Sequence, residues 1–128
     1  MNTLEQVLAK RVYDRVKSFI TSFPDENCKQ RKEYASMAQR LPVLVHTAGL
    51  VQSLAYVSDQ GTDSHKELLN HLAFVIDECE DADTLLNLSR TLPFQEYRYL
   101  TLQVNIALTW FKRFAQSVTV APQTSDVG

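Results

Sequence analysis

Two groups of side chains in this sequence stand at spacings that could do chemistry. The first is acidic and imidazole: Glu67 and His71 lie four residues apart, which places a carboxylate against an imidazole on one helix face, as an acid–base pair requires. Close behind, Asp77, Glu78, Glu80, Asp81 and Asp83 gather carboxylates of the kind that hard cations bind. The second group is cationic and aromatic. The stretch LTWFKRFAQS, residues 108 to 117, sets Trp110, Phe111 and Phe114 around Lys112 and Arg113, as would a surface that stacks bases and clamps phosphates.

The catalytic readings fail on spacing. His46, His65 and His71 form no HExxH, and neither Cys28 nor Cys79 lies within a turn of a histidine, so no metal-ligand pattern emerges. The acidic run lacks the loop pattern of an EF-hand and reads as a solvated helix end or a docking surface. No GxSxG, glycine-rich phosphate loop or nucleophilic cysteine signature is present. Glu67 and His71 therefore read as a helix-surface pair. The expectation is a protein without catalytic residues, metal or cofactor.

The binding readings survive. Net charge is only −2, yet positive charge is concentrated in residues 1–40 and negative charge in residues 41–128, so an acidic chain can still present a basic face. Lys10 and Lys17, with Tyr13 nearby, lie at one edge of the first apolar helix face, and Arg11 and Arg15 lie at the other. Lys29, Arg31, Lys32 and Arg40 add to the basic count of the next segment. Such residues are either scattered surface charge or a sequence-neutral surface that tracks phosphates by releasing counterions; composition does not choose.

These residues must be positioned by helices, since almost every segment has a helical period and none alternates like a strand. With 128 residues the chain has one core and needs no disulfide or metal staple. A first helix begins at Thr3, whose capping box uses Gln6, and turns Leu4, Leu8, Val12, Val16, Phe19 and Phe23 inward as far as Pro24. A second spans about Asp25 to Arg40. Pro42 is expected to end it and open a third, which turns Leu44, Val45, Ala48, Val51, Leu54 and Ala55 inward and stops before Gly61. Gly49, in mid-helix, is expected where another helix approaches closely. Ser64 and Glu67 make the next capping box, before a core face of Leu68, Leu69, Leu72, Val75 and Ile76. A short helix carries Leu85, Leu86 and Leu88, and Leu92–Pro93 breaks the chain before a long final helix over about residues 94–118. The fold class is all-α: a bundle of five or six helices over 1–118, with the long C-terminal helix central and 119–128 a flexible tail.

On a helical wheel the final helix has two apolar stripes. Leu100, Val104, Ala107, Leu108, Phe111, Phe114, Ala115 and Val118 form the broad one, and Tyr99, Leu102, Ile106 and Trp110 form a second that can meet a partner protein. Trp110 is open to either role, core or contact. Lys112 lies on a polar strip with Arg98, Thr101, Asn105, Thr109 and Gln116, and Arg113 lies beside the second stripe. The wheel thus separates the aromatics from the cations and weakens the base-stacking idea.

Two longer stretches carry a resemblance. KEYASMAQRLPVLVHTAGLVQSLAYV (32 to 57) and YRYLTLQVNIALTWFKRFAQS (97 to 117) contain E-Y-x-x-M-A-x-R-L-P, A-G-L, L-A-Y and W-F-K-R-F-A in order. With Tyr13 and the Leu69–His71–Leu72 region, the similarity spans about residues 5 to 118. In these motifs the chain resembles the small α-helical subunit family of the Cmr complex, the type III-B CRISPR effector of antiviral defence.

The resemblance implies a non-catalytic cytoplasmic subunit that stacks in several copies beside the backbone subunits, near the large subunit. There it would help hold the guide RNA–target RNA duplex, or the target strand, by non-specific phosphate contacts. The family's basic positions fall on Lys32, Arg40, Lys112 and Arg113; Lys10, Arg11, Arg15 and Lys17 join them on charge geometry alone. The alternative is a helical scaffold that touches only protein. A cytoplasmic setting also fits two cysteines outside any CxxC and an amphipathic N-terminal stretch unlike a secretory signal, and no segment reads as a membrane span.

Overall fold

The structure, a computed structural model, describes all residues except 1–2, 26, 61, 77–78, 80 and 120–128, and of residues 60 and 116–119 only the backbone. Among the described residues the chain forms α1 (Leu4–Ser22), α2 (Lys29–Ala48), α3 (Leu50–Gln60), α4 (Asp63–Val75), α5 (Ala82–Thr91) and α6 (Phe94–Thr119), with no strand. The all-α bundle expected from the periodicity is what forms. Thr119, where the tail was expected to open, is the last residue of α6, and residues 120–128 lie outside the described residues.

The core is built around α6, which packs chiefly on α1 and α2 and also meets α4 and α5. Its buried face is Leu100, Val104, Ala107, Leu108, Phe111 and Ala115, with Phe114 half-buried at its edge. The Val118 side chain lies outside the described residues. Helix α1 presents Leu8, Val12, Val16 and Phe19 to it, as its period requires. The Thr3 capping box forms in both directions: the Gln6 amide donates to Thr3 Oγ1 at 3.1 Å, and the Thr3 amide donates to Gln6 Oε1 at 2.9 Å. Where α1 ends, Arg31 reaches back from α2 and donates from Nη1 to the carbonyls of Pro24 (3.0 Å) and Phe23 (3.4 Å). At 4% exposure Arg31 is a clamp on the α1–α2 connection rather than part of a surface charge count.

The expected break at Pro42 does not occur. Helix α2 runs unbroken through Pro42 to Ala48. A proline there removes one backbone donor and costs about 3 kcal/mol. Against this stand Tyr34, Met37, Ala38, Leu41 and Val45, all buried on one face that breaking the helix would disperse. Each large apolar side chain among them contributes about 1.5–3 kcal/mol by leaving water, so the continuous helix wins.

The break falls instead at Gly49, whose φ of 88° and ψ of 164° turn the chain from α2 into α3. This is a glycine-only region of backbone space. A Cβ built on Gly49 meets nothing within 4 Å, so the expected close helix approach is corrected: the residue supplies conformation, not space. The turn also resets the inward face. Ala48 and Ala55 are exposed and Leu44 and Val51 half-buried, while Leu50, Ser53, Leu54 and Val57 point into the core.

Thr62, not Ser64, caps α4. Its Oγ1 accepts from the His65 amide at 3.2 Å, and Ser64 is buried inside the helix. Leu68, Leu69, Leu72, Val75 and Ile76 are buried as expected. Of the acidic run, Asp77, Glu78 and Glu80 lie outside the described residues, whereas Asp81 caps α5, its Oδ1 accepting from the Thr84 amide at 2.9 Å. Leu92–Pro93 separates α5 from α6, so the second proline break stands.

Gly49→Ala tests the reassigned break. Open space removes any steric cost, and backbone strain alone should lower stability by about 1–3 kcal/mol, measured as a shift in the urea midpoint with unchanged slope.

Candidate nucleic-acid interface

The structure distributes the expected basic residues over three surfaces. On the first, the outward face of α2 repeats as Lys29, Lys32, Glu33, Ser36 and Arg40, positions one helical face apart. Together with Asn27 and with His65 of α4 they line an open cleft of about 600 Å³. Lys29, Lys32 and Arg40 are exposed, and among the described residues none has a carboxylate within ion-pair distance. Arg40 makes one weak contact, from Nη2 to Met37 Sδ at 3.9 Å. His65 is 7% exposed, and its Nδ1 has no hydrogen-bond partner among the described residues. The sequence reading named Lys32 and Arg40 here and gave Lys29 only in a basic count, although the i, i+3, i+4, i+7, i+11 run from Lys29 was a legible signal; it missed His65, which spacing within α2 does not reveal.

Arg11 and Arg15 occupy the second surface, where α1 meets α4. Arg11 Nη1 donates to the Val75 carbonyl at 3.1 Å, and the Arg15 guanidinium lies 4.3 Å from the centroid of the Phe74 ring. Both are half-buried and hold α1 against α4. Their geometry sets them apart from the α2 cleft.

The third surface joins α1 to α6. Tyr13 meets Phe114 edge-on at 5.4 Å, and Phe114 lies 5.3 Å from Trp110. The Trp110 indole donates to Glu5 Oε2 at 3.2 Å, and Arg113 lies 5.4 Å from its ring centroid. Trp110 is thus half-buried and engaged on both sides, fastening the two helices rather than waiting for a base. Lys17 sits 5.9 Å from the Tyr13 ring, and Lys10 pairs with Asp14 at 3.5 Å. Lys112 is exposed with no ion-pair partner among the described residues.

The second apolar stripe of α6 divides along its length. Ile106 and Trp110 pack on the core, whereas Tyr99 and Leu102 are each 50% exposed. Beside Tyr99, a groove of about 360 Å³ runs between α5 and α6, lined by Leu88, Leu92 and Leu100 with the buried Gln103. Phe94, 70% exposed with Arg98 over its ring, extends this apolar surface, and the sequence reading did not single it out.

Of Glu67 and His71, the pair with acid–base spacing, Glu67 is exposed on the helix surface as expected, whereas His71 is buried. The Tyr34 hydroxyl lies 2.8 Å from His71 Nδ1, and His71 Nε2 lies 3.4 Å from Glu67 Oε2. Phe19 stacks on Tyr34 with ring centroids 4.0 Å apart, sealing the node from the α1 side. Burial holds the His71 pKa below its ordinary value, Glu67 opposing and Arg15 assisting, so the ring is neutral at pH 7. Burial likewise keeps the Tyr34 hydroxyl protonated. The consistent arrangement has Tyr34 donating to Nδ1 and Nε2–H donating to Glu67. That is a structural strut: the imidazole has no free nitrogen with which to take a substrate proton.

Among the described residues no group of three or more His, Cys, Asp or Glu is placed to hold a metal ion, and no helix is long and apolar enough to cross a membrane. Cys28 and Cys79 are not joined in a disulfide.

The node generates two expected outcomes. Tyr34→Phe leaves a buried nitrogen unsatisfied and should cost about 1–3 kcal/mol, read by chemical denaturation. Because the folded state lowers the His71 pKa, the unfolded chain binds its proton first. Stability should be full above pH 6.5 and fall as pH drops toward the folded pKa, and His71→Gln should flatten that part of the profile.

Comparison with known proteins agrees with this architecture. The CRISPR-associated protein family Cmr5 matches residues 4–118. The CRISPR system Cmr subunit Cmr5 of Thermus thermophilus is 40% identical over 118 residues, covering 92% of this chain and 97% of the relative. A crystal structure of a CRISPR-associated Cmr5 family protein from the same organism superposes with a TM-score of 0.79 at 40% identity, over 91% of this chain and 97% of that one. By sequence across nearly its whole length and by fold, the chain belongs to the Cmr5 family of CRISPR-associated proteins.

Proposed function

We propose that this protein is a non-catalytic small subunit of a Cmr-type (type III-B) CRISPR RNA-silencing complex in the cytoplasm. In this reading it stacks in copies beside the backbone subunits and holds guide–target RNA by sequence-neutral phosphate contacts. The observation that carries the reading is family membership over residues 4–118, with a relative named as a Cmr subunit at 40% identity. The geometry is compatible with the RNA role: Lys32, Arg40 and Lys112 are exposed cations without ion-pair partners among the described residues. In the Glu67–His71 pair the imidazole is buried with both ring nitrogens engaged, which supports a holding role over a chemical one.

Phosphate contact without base readout makes a definite demand on affinity. Each cation that displaces counterions contributes about 0.7–0.9 to the slope of log K against log salt. The sequence of the RNA should not matter, because pairing between guide and target supplies specificity.

A second reading, a scaffold that contacts only protein, is favoured by the exposed Tyr99 and Leu102 beside Phe94. It and the RNA reading separate cleanly. Lys112→Glu with Arg113→Glu should weaken RNA binding equally for unrelated sequences, measured by fluorescence anisotropy; unchanged affinity removes this pair from the RNA surface. Tyr99→Ser with Leu102→Ser should abolish co-purification with the other subunits under the scaffold reading, with no RNA cross-link to any lysine or arginine.

A further inference from the structure

The cations of this protein differ in what they already do. Arg11, Arg15 and Arg31 are built into helix contacts, Lys10 has Asp14, and Lys17 and Arg113 lie on aromatic rings. Among the described residues, Lys29, Lys32 and Arg40 have no such engagement beyond the Met37 contact, and they converge on one cleft whose one described carboxylate is Glu33. The field there is reinforced by the backbone. Helix α2 starts at Cys28 without a side-chain cap and has no acidic residue in its first turn. Lys29 and Lys32 therefore stand where the positive end of the helix dipole disfavours them. Cations held unpaired against a dipole leave a site whose missing component is an anion, and the buried His65 in the cleft wall, its Nδ1 unmet among the described residues, donates to one in its Nδ1–H tautomer.

We infer that the cleft between α2 and α4 is the seat of an RNA strand's phosphodiester backbone, held by Lys29, Lys32 and Arg40 over His65. The inference rests on the RNA-holding reading above and locates it. The shape favours a strand over a single small anion: from Lys29 to Arg40 the row extends about 16 Å along the helix. Apart from the buried His65 imidazole, the lining contains no aromatic ring to stack a base, and it has no large apolar side chain to seat a protein segment, so backbone phosphate is its complement. Glu33, within the row, repels phosphate and confines the strand to the cationic positions on either side. Two residues are added to the family positions expected from sequence: Lys29 as a phosphate contact, and His65 as the floor that the strand covers.

The full-length chain is titrated with a 12-nucleotide single-stranded RNA of mixed sequence at several salt concentrations. Affinity is followed by anisotropy and the histidine ring signals by NMR. Neutralising Lys29→Gln, Lys32→Gln and Arg40→Gln together should lower the slope of log K against log salt by about 2. The wild-type His65 ring signals should move on binding and those of His71 should not. All three substituted side chains are exposed, so folding is not in question. Binding with an unchanged slope in the triple variant and a silent His65 overturns this site while leaving the RNA-holding reading intact. A wild-type chain that shows no salt-dependent binding overturns both. Polyglutamate that moves the His65 signals as strongly as RNA overturns the phosphate assignment in favour of an acidic protein segment.

Discussion

Burial of one face of α6 between α1 and α2 is the constraint on which the rest of the molecule depends. Leu100, Val104, Ala107, Leu108, Phe111 and Ala115 form a strip that neither α1 nor α2 can cover alone. Once both helices lie along it, their rotations are fixed, because Leu8, Val12 and Val16 must face it from one side and Met37, Leu41 and Val45 must join the same core from the other. The rotation of α2 then determines what the solvent sees. With Tyr34, Met37, Ala38 and Leu41 turned inward, Lys29, Lys32, Ser36 and Arg40 are turned outward together. The charged face is a consequence of the apolar one.

The same constraint accounts for the path of α2. Its inward residues lie on both sides of Pro42, so the helix must cross the proline to keep them on one line. The chain can turn only after Val45 has been buried, and Gly49 is the next residue able to adopt the required positive φ without strain. At the heart of the bundle, Tyr34, His71 and Phe19 connect α2, α4 and α1 through one directional hydrogen bond and three ring contacts. Apolar packing tolerates small rotations; a hydrogen bond between buried rings does not. This node therefore fixes how α4 sits on α2, and with it the position of His65 beside Arg40.

The electrostatic design is economical in where it leaves charge unmatched. Along α1, arginines are consumed in tying helices together: Arg11 on the Val75 carbonyl, Arg15 on the Phe74 ring. On the outward face of α2, Lys29, Lys32 and Arg40 have no carboxylate partner among the described residues. A cation in a helix contact contributes to stability and has little field left for a ligand. One held away from carboxylates keeps its field, which suits a member of a family of CRISPR-associated proteins better than the net charge of −2 would imply.

Local chemistry was legible in the sequence. The Thr3–Gln6 cap, the period of α1, the Leu92–Pro93 break and the broad stripe of α6 depend on residues within a turn or two of each other, so spacing alone determined them. The motifs at 32–57 and 97–117 also carried the family. What spacing could not decide was in each case settled by a distant residue. Pro42 stays helical because Tyr34 and Val45 share a core. Arg31 is a clamp because Pro24 comes back within reach, and Trp110 is engaged because Glu5 lies beside it. His65 enters the α2 cleft only because α4 packs there. Sequence fixes which face of a helix is apolar; which neighbour covers that face, and which charges it leaves exposed together, is decided by packing between residues far apart in the chain.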